Sequence, residues 1–526
     1  TFIVDLILHI YQNFSLKNLR GTKKILLMIA NDWKLILILT AIFALYFYYT
    51  ATFDFFKKKG IQYMKPVILL GNLGPRITAS RSFHDYQMDI YNNFKGQRYG
   101  GMFEGRRPIL YILDSELIKT IMIRDFDYFT DRNSLNSKEP RYLSRSLLNL
   151  KGSEWKGVRS TITPVFSSHR LKNMLPLLQL CSKQMVDYFK QYDHKDVEMK
   201  EIMGHYTLET IGACAFGIKC DALTEGDSHF IKKFDYMPKM KRLFIFFILM
   251  FMPKLIRLLN FTFLNLESTG ELMRILQAAK AERRLTDSEK SDFLQLLVDV
   301  ARKENGESDK PESKKHMDDD TIDAQCLLFL IAGYETSSTL LSFALYVLAT
   351  RPDLQETLRT HIIDTTAGKE MSYELLSELT YLDAFLLETL RVYPPVGRVD
   401  RVVTKPYQIP DSPVLLNTGD VVAIPIYGIH MDPEYYPEPH EFRPERFMGE
   451  EKKNRPSHLF LAFGAGPRNC IGLRFAMISA KIAMVSLMKN FKFSSCPKTK
   501  DSVTFDKRAL LLKTEGGLWV QIENLK

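Results

Sequence analysis

The chain has 526 residues, 46% of them hydrophobic and 12% aromatic, a globular composition that can bury a large core. Its six cysteines are scattered without zinc-type spacing, which argues against a disulfide framework and indicates a reducing compartment. The net charge of +10 favours an anionic membrane surface or an acidic protein partner, and the mixing of basic with acidic residues argues against nucleic acid.

The first clear element is an uncharged stretch at residues 35–53. As a helix, it is about long enough to cross a hydrocarbon core of roughly 30 Å. Tyrosines near its end suit the membrane–water interface, and three lysines follow at residues 57–59. We predict a single-pass transmembrane helix here, within an N-terminal segment of residues 1–56 that precedes one large domain of residues 57–526. Basic residues flank both ends of the stretch, so charge leaves its orientation open.

Hydrophobic periodicity predicts mostly helices after the apolar stretch. The predicted helices lie at residues 86–95, over most of 170–300, from about 320 onward, at 381–392 and from 473 to about 488. Short apolar runs predict strands at residues 109–112, 510–512 and 518–522. The uncharged run at residues 243–252 is too short to span a membrane and fits either a membrane-interface helix or a buried core helix. Residues 302–320 are highly charged and predict a solvated loop.

An acid and an alcohol, Glu335 and Thr336, lie in the middle of the long apolar helix predicted after residue 320. Such groups are costly in an apolar environment unless they are satisfied. Gly333 weakens the helix, and the threonine can bond to the carbonyl one turn earlier, so we predict a local opening that holds a water. The alternative is a polar patch that faces solvent.

A second charged group follows at Glu388 and Arg391, one turn apart in a helix that two prolines end. A buried carboxylate can be balanced by two guanidiniums, and Arg446 supplies a second one later in the chain. His430 stands alone, which fits a hydrogen-bonding structural residue better than a metal ligand.

Residues 463–472 read Phe-Gly-Ala-Gly-Pro-Arg-Asn-Cys-Ile-Gly and deliver Cys470 to the start of a predicted helix. N–H groups at a helix start stabilise a thiolate. Gly466 and Gly472 lack side chains, so a flat ligand could lie close to the backbone, and Arg468 could pair with an acidic group on it. A haem with an axial cysteine fits these features, because it has an iron, a flat face and two propionates. The alternative is a buried, inert cysteine.

The spacing Phe-x-x-Gly-x-Arg-x-Cys-x-Gly resembles the haem-binding signature of the cytochrome P450 family, with every position filled. Four further motifs occur in the family's order, at Trp155/Arg159, residues 332–336, Glu388/Arg391 and residues 443–447. The resemblance covers about residues 60–526 and is to microsomal members, similar to the clan 3 xenobiotic-metabolising members of arthropods and vertebrates. It implies a mainly α fold with a smaller β region, and a haem-thiolate catalytic domain at residues 57–526.

The resemblance also implies a cofactor, haem b, with Cys470 as the ligand of its iron. The cofactor-binding residues would be Cys470, Arg468, Trp155, Arg159, Arg401 and Phe463. Without the resemblance, the pair four residues apart on one helical face would be an ordinary surface pair. Arg398 competes with Arg401 for contact with a propionate.

By the same resemblance, Glu335 and Thr336 are the catalytic residues and relay protons during oxygen activation. Glu388, Arg391 and Arg446 would lock the core on the proximal side of the haem. The substrate walls would come from the loop before Trp155, residues 243–252, Phe329, Ala332, residues 396–397 and residues 510–511.

The implied activity is a monooxygenase that inserts one atom of O2 into a small lipophilic substrate, either a xenobiotic or a steroid-like endogenous compound. Its electrons would come from NADPH through NADPH-cytochrome P450 reductase, with cytochrome b5 as a second candidate donor. The implied location is the endoplasmic reticulum membrane, with lipid contact and the catalytic domain facing the cytosol. The alternatives are a haem-thiolate isomerase or dehydratase that needs no reductase, a non-catalytic haem-binding protein, and a membrane-anchored scaffold without a cofactor.

Overall fold

The computed structural model describes residues 19–133, 144–223, 266–285, 292–306 and 317–525. The apolar run at residues 243–252 and residues 307–316 of the charged stretch lie outside the described residues. The chain divides into two units, Thr1–Phe55 and Phe56–Lys526.

The described secondary structure is mostly helical, as the resemblance implied. The helices are α1 (Leu19–Thr50), α2 (Phe55–Lys58), α3 (Gly74–Ile77), α4 (Phe83–Asn93), α5 (Ser115–Lys119), α6 (Gly152–Ile162), α7 (Ser168–Lys190), α8 (Met199–Ile211), α9 (Leu266–Leu285), α10 (Phe293–Gly306), α11 (Asp319–Thr350), α12 (Pro352–Thr366), α13 (Tyr373–Glu378), α14 (Thr380–Val392), α15 (Ile426–His430), α16 (Gly449–Asn454) and α17 (Leu473–Asn490). The π-helical turns are Thr120–Arg124 and Gly212–Phe216, and the 3-10 turns are Phe126–Tyr128, Thr163–Phe166, Pro444–Phe447 and Ser457–Leu459.

The strands form three small sheets. They are β1 (Tyr99–Glu104), β2 (Arg107–Ile112), β3 (Asp196–Glu198), β4 (Val399–Val402), β5 (Tyr407–Gln408), β6 (Leu415–Leu416), β7 (Val421–Ile424), β8 (Phe491–Ser494) and β9 (Trp519–Asn524). The largest sheet has the order β1-β2-β7-β4, in which β2 and β7 are parallel and the other pairs antiparallel. The other sheets are β3-β9-β8 and β5-β6.

In the first unit, α1 begins well before the predicted anchor at residues 35–53 and ends at Thr50. Side chains 35–48 are exposed, and Leu35–Thr50 is apolar but short for a spanning helix. Among the described residues, α11 passes the length and hydropathy test for a membrane span, yet 56% of its apolar window is buried. A core helix passes the same test, so the transmembrane helix stays a prediction that rests on residues 35–53.

The core of the second unit is organised around α11. The Asp318 carboxylate caps this helix by accepting a hydrogen bond from the Thr321 N–H, and two acidic residues in the first turn suit the positive end of the helix dipole. Helices α8, α9, α14 and α17 pack against it. Because these four helices pack against α11, its central residues have a fixed position in the core.

Two predictions about local structure were wrong. Residues 510–512 form a bend rather than a strand, because the Leu512 N–H donates to the Pro395 carbonyl and Leu510 points outward with 64% of its surface exposed. The predicted loop at residues 302–320 is also too long, since α10 continues to Gly306 and α11 begins at Asp319.

Candidate functional site

The cysteine loop, residues 463–472, turns back on itself before α17 begins. The Cys470 N–H donates to the Phe463 carbonyl at 2.8 Å, which closes the loop and sets the sulfur at the start of the helix. The backbone N–H groups of Gly472 and Leu473, at the start of the helix, act on the sulfur in the direction that favours its thiolate. They are N–H groups at a helix start, the kind of group that the sequence analysis expected beside a thiolate.

Opposing effects act on the Cys470 thiol. Burial is the largest effect and keeps the pKa of the thiol above its usual value, although the Gly472 N–H, the nearby guanidiniums of Arg159 and Arg132, and the Leu473 N–H act to lower it. The residue as a whole is nevertheless exposed. A partly accessible sulfur that faces cations and N–H donors is suited to bind a metal as thiolate, and it does not resemble a buried, inert cysteine.

The structure distinguishes two glycines of the loop, Gly466 and Gly472. Gly466 has φ +68°, and a Cβ there would collide with the Met122 carbonyl oxygen. Gly466 thus allows the loop to pack against the π turn Thr120–Arg124, and the prediction that it makes room for a flat ligand was wrong. At Gly472 a Cβ would meet no atom within 4 Å among the described residues, so its position leaves open space.

Arg159 and Arg132 approach the cysteine loop, which carries a third arginine, Arg468. Arg159, from α6, donates to the Asn469 carbonyl at 3.0 Å and to its side-chain oxygen at 2.9 Å. Arg132 donates to the Arg468 carbonyl at 3.1 Å, and the Arg468 guanidinium lies 4.5 Å from the centre of the Trp155 ring. Of the pair predicted on α6, Arg159 therefore contacts the loop through hydrogen bonds, and Trp155 contacts it through a cation–π interaction with Arg468.

Arg401, on β4, completes this arginine cluster. Burial and the neighbouring charges of Arg132 and Arg468 lower the pKa of Arg401 to about 9. Burial, with Arg132 again the next largest cause, lowers the pKa of Arg468 to about 9. Within the described chain, Nε and Nη2 of Arg401 and Nε of Arg468 are buried without a hydrogen-bond partner. Cations this close, offset only in part by Asp400 and Asp131, call for an anionic ligand, and the two propionates of a haem fit that need.

The structure also separates the two candidates for contact with a propionate. Arg398 is already engaged, because it donates to the Glu104 carboxylate and to the Tyr111 hydroxyl at 3.0 Å, and it lies 3.6 Å from the Asp400 carboxylate. Among the described residues, the single hydrogen-bond acceptor for Arg401 is the Asp400 carbonyl, at 2.8 Å. The geometry favours Arg401.

We predict that Arg401→Leu weakens haem retention, because it removes the buried guanidinium with the largest unmet hydrogen-bonding capacity. Losing one partner of a buried charge pair costs about 2 kcal/mol or more, roughly a 30-fold faster loss of haem. The measurement is the rate of haem transfer from the holoprotein to an excess of a haem-free acceptor. Arg398→Leu is the matched control, and equal rates for both variants would contradict the assignment.

The sequence prediction missed Arg132, the fourth member of the cluster. Arg132 lies in the segment after the 3-10 turn Phe126–Tyr128, and nothing in its spacing marks it. Only the fold brings this segment against the Arg468 carbonyl and next to β4, where the Asp131 carbonyl accepts from the Val402 N–H at 2.7 Å.

Helix α11 is continuous through Glu335 and Thr336, so the predicted local opening is absent from it. The Thr336 hydroxyl instead donates to the Ala332 carbonyl at 2.7 Å. Downstream hydroxyls also bond back to the previous turn, including Ser338 to the Tyr334 carbonyl at 2.7 Å. Because these groups share existing carbonyls, the helix accommodates its polar residues without breaking.

Glu335 lies between two lysines. Its carboxylate is 3.5 Å from Lys200 Nζ and 3.7 Å from Lys513 Nζ, with 15% of the side chain exposed. Lys200 also donates to the Glu335 carbonyl at 2.9 Å and to the Ser338 and Thr339 hydroxyls at 2.7 Å. Burial lowers the pKa of Lys200 to about 8, against the opposing effect of Glu335, so this lysine remains mostly charged at pH 7. This partly buried network rules out a solvent-facing patch.

Glu388, Arg391 and Arg446 meet in the core as predicted. Arg391 donates to both oxygens of Glu388, at 2.7 and 2.8 Å, and neither side chain is exposed. Nε of Arg446 lies 3.4 Å from the same carboxylate, which also accepts from the Arg443 N–H at 2.9 Å. The carboxylate thus joins α14 to the turn Pro444–Phe447.

The family model described as "Cytochrome P450" matches residues 62–520. The chain belongs to the cytochrome P450 family. This cytochrome P450 is 38% identical to cytochrome P450 9e2 of Blattella germanica over 500 residues, or 89% of this chain and 94% of the relative. It is 35% identical to probable cytochrome P450 6a14 of Drosophila melanogaster, over 90% of this chain and 96% of the relative. It is 34% identical to cytochrome P450 3A41 of Mus musculus, over 91% and 94%.

These relatives belong to the insect and mammalian members of clan 3. Enzymes of this family are monooxygenases that use a haem iron, and this cytochrome P450 is an enzyme of that class. The cysteine loop and the arginine cluster are the parts of the chain whose geometry suits that cofactor.

Proposed function

We propose that this cytochrome P450 inserts one atom of O2 into a small lipophilic xenobiotic or steroid-like compound, at haem b held by Cys470. The observation that carries the proposal is the meeting of an N–H-supported sulfur with an arginine cluster that has unmet buried donors. Trp155, Arg159, Arg401 and Arg468, with Phe463 closing the loop and Arg132 added, would hold the cofactor.

When bound, haem supplies the activation of O2 that leads to insertion of one oxygen atom and release of the other as water. The chain would supply the protons. The Glu335 carboxylate is held by two lysines and keeps some contact with solvent, so it can take up a proton there. The proton would reach Oγ1 of Thr336, whose hydroxyl can turn away from the Ala332 carbonyl to donate.

We expect Thr336→Ala to divert reducing equivalents into peroxide, because oxygen activation would lack its ordered proton donor. Product formed per NADPH should fall several-fold, while NADPH consumption continues. The control is Ser342→Ala, which removes a hydroxyl that makes the same back-bond, at 2.6 Å, two turns further along α11. Equal product-to-peroxide ratios in the two variants would refute the proton-delivery role.

Apolar and aromatic side chains on and near α11 would contact the proposed lipophilic substrate. Phe329 of α11 stacks on Phe166, with ring centres 5.6 Å apart, and lies 4.3 Å from the Phe293 ring. Ala332, one turn later, is exposed, as is Leu510. Small and aromatic side chains of this kind favour binding by shape and apolar contact over binding by charge.

We propose electron supply from NADPH through NADPH-cytochrome P450 reductase, with cytochrome b5 as a second donor. The net charge of +10 supports an acidic protein partner. The exposed apolar side chains of residues 35–48 support membrane attachment, and we propose the endoplasmic reticulum, with residues 57–526 in the cytosol.

The test is reconstitution of the purified chain with the reductase, NADPH, ¹⁸O2 and a panel of lipophilic compounds. We expect labelled product that requires both reductase and NADPH. Product formed without reductase would favour the isomerase or dehydratase, and ligand binding without product would favour a non-catalytic haem protein. A colourless protein would favour the scaffold.

A further inference from the structure

His430, the last residue of α15, connects the buried ion pair to the cysteine loop. Its ring is fully buried. Nδ1 lies 3.1 Å from the Arg391 carbonyl oxygen, and Nε2 lies 2.9 Å from the backbone nitrogen of Leu461, just before the loop. No other described side chain bonds both to α14 and to this backbone position.

The two contacts define which ring nitrogen carries the proton. A backbone N–H can only donate, so Nε2 must accept from Leu461 and the proton must lie on Nδ1, which donates to the Arg391 carbonyl. Arg391 returns a hydrogen bond at 2.8 Å to the His430 carbonyl. Burial, then the Arg391 charge, lowers the pKa of His430 to about 3, so the ring stays neutral and the contacts persist at physiological pH.

The ring is also held from its face. Phe460 stacks on it at 5.6 Å with an interplanar angle of 4°, and the Tyr436 ring meets it edge-on at 6.0 Å. Leu461 then accepts from the Gly464 N–H at 2.8 Å, which forms the first turn of the cysteine loop. A continuous series of contacts therefore runs from Arg391 through the imidazole to the loop that ends at Cys470.

We propose that His430 is a positioning residue for the axial thiolate. It acts by fixing the backbone at Leu461, and so sets the position of Cys470 relative to the rigid Glu388–Arg391 pair. This inference rests on the proposed role of Cys470.

Three variants separate the two hydrogen bonds. The longer side chain of His430→Gln can place its amide oxygen near the position of Nε2 and accept from the Leu461 N–H. The shorter side chain of His430→Asn can place its NH2 group near the position of Nδ1 and donate to the Arg391 carbonyl, and His430→Leu can do neither. The matched control is His84→Leu. His84 is also buried, its Nε2 lies 2.7 Å from the Pro394 carbonyl, and it packs on the rings of Tyr427 and Phe505, but it does not contact the cysteine loop.

The first readout is hydrogen exchange of the folded full-length chain, followed in peptides that cover residues 461–472. We expect the Asn and Leu variants to exchange at least tenfold faster there than wild type, and the Gln variant and His84→Leu to stay near wild type. Equal exchange in the Asn and Gln variants, or faster exchange in His84→Leu as well, would overturn the proposal. If the Leu variant fails to fold, the comparison of the Asn and Gln variants still tests whether His430 positions the loop.

The second readout is the fraction of total haem that shows the thiolate-type band in the reduced, carbon-monoxide-bound spectrum. We expect this fraction to fall in the Asn variant and to be retained in the Gln variant, and the reverse order would overturn the proposal. If wild type itself lacks the band, the role of Cys470 fails, while the exchange experiment still decides whether His430 positions the loop.

Discussion

Replacing Cys470 with alanine should abolish NADPH-dependent oxygenation and leave the helical fold in place. The sulfur makes its described contacts with backbone N–H groups at the start of α17, and the Phe463 carbonyl bonds to the backbone of residue 470, so the loop closes without the side chain. No other described group stands at that position to donate a thiolate. Turnover with reductase and NADPH should fall below detection, while circular dichroism and the thermal midpoint stay close to those of wild type.

The control is Cys496→Ala, which removes another free cysteine. Cys496 lies outside the cysteine loop and accepts a hydrogen bond from Thr499. This variant should retain full turnover. Turnover in the Cys470 variant equal to that of the Cys496 variant would show that the thiolate assignment is wrong.

Glu388→Ala should produce the largest loss of stability. It leaves the guanidiniums of Arg391 and Arg446, both essentially unexposed, without their shared carboxylate, and removes the acceptor of the Arg443 N–H. Breaking a buried pair from one side costs about 3–5 kcal/mol, since a charge is left uncompensated. Because Arg391 also donates to the His430 carbonyl, the cysteine loop should lose order when Arg391 loses its partner. Urea unfolding of the full chain measures the effect.

The matched control is Asp353→Ala. Arg351 binds Asp353 through two hydrogen bonds, at 3.1 and 2.9 Å, in the same two-point manner, but on the surface. An exposed pair contributes about 0–1 kcal/mol. A loss for Glu388→Ala no greater than the control's would mean that the buried carboxylate does not lock the core.

The sequence predicted best where chemistry depends on short spacing. Arg391 and the alcohol of Thr336 each lie within one turn of their partners, Glu388 and the Ala332 carbonyl, so spacing alone indicated these local contacts. The mainly helical fold also followed from hydrophobic periodicity and from the family resemblance.

The sequence did not predict contacts between distant segments. Lys200 lies 135 residues from Glu335, and Arg132 lies 336 residues from Arg468, so only the packed fold reveals that they meet. Gly466 was misread for the same reason, because its close neighbour, Met122, comes from another part of the chain. The strand predicted at residues 510–512 failed because its backbone bonds to Pro395 instead of a neighbouring strand.

The central claim is that the sulfur of Cys470 binds the iron of a haem. The most direct measurement is the absorption spectrum of the reduced, carbon-monoxide-bound protein, recorded for wild type and Cys470→Ala at equal haem content. We predict the red-shifted thiolate band in wild type and its complete loss in the variant. A band that persists in the variant, or is missing from correctly folded wild type, would contradict the account.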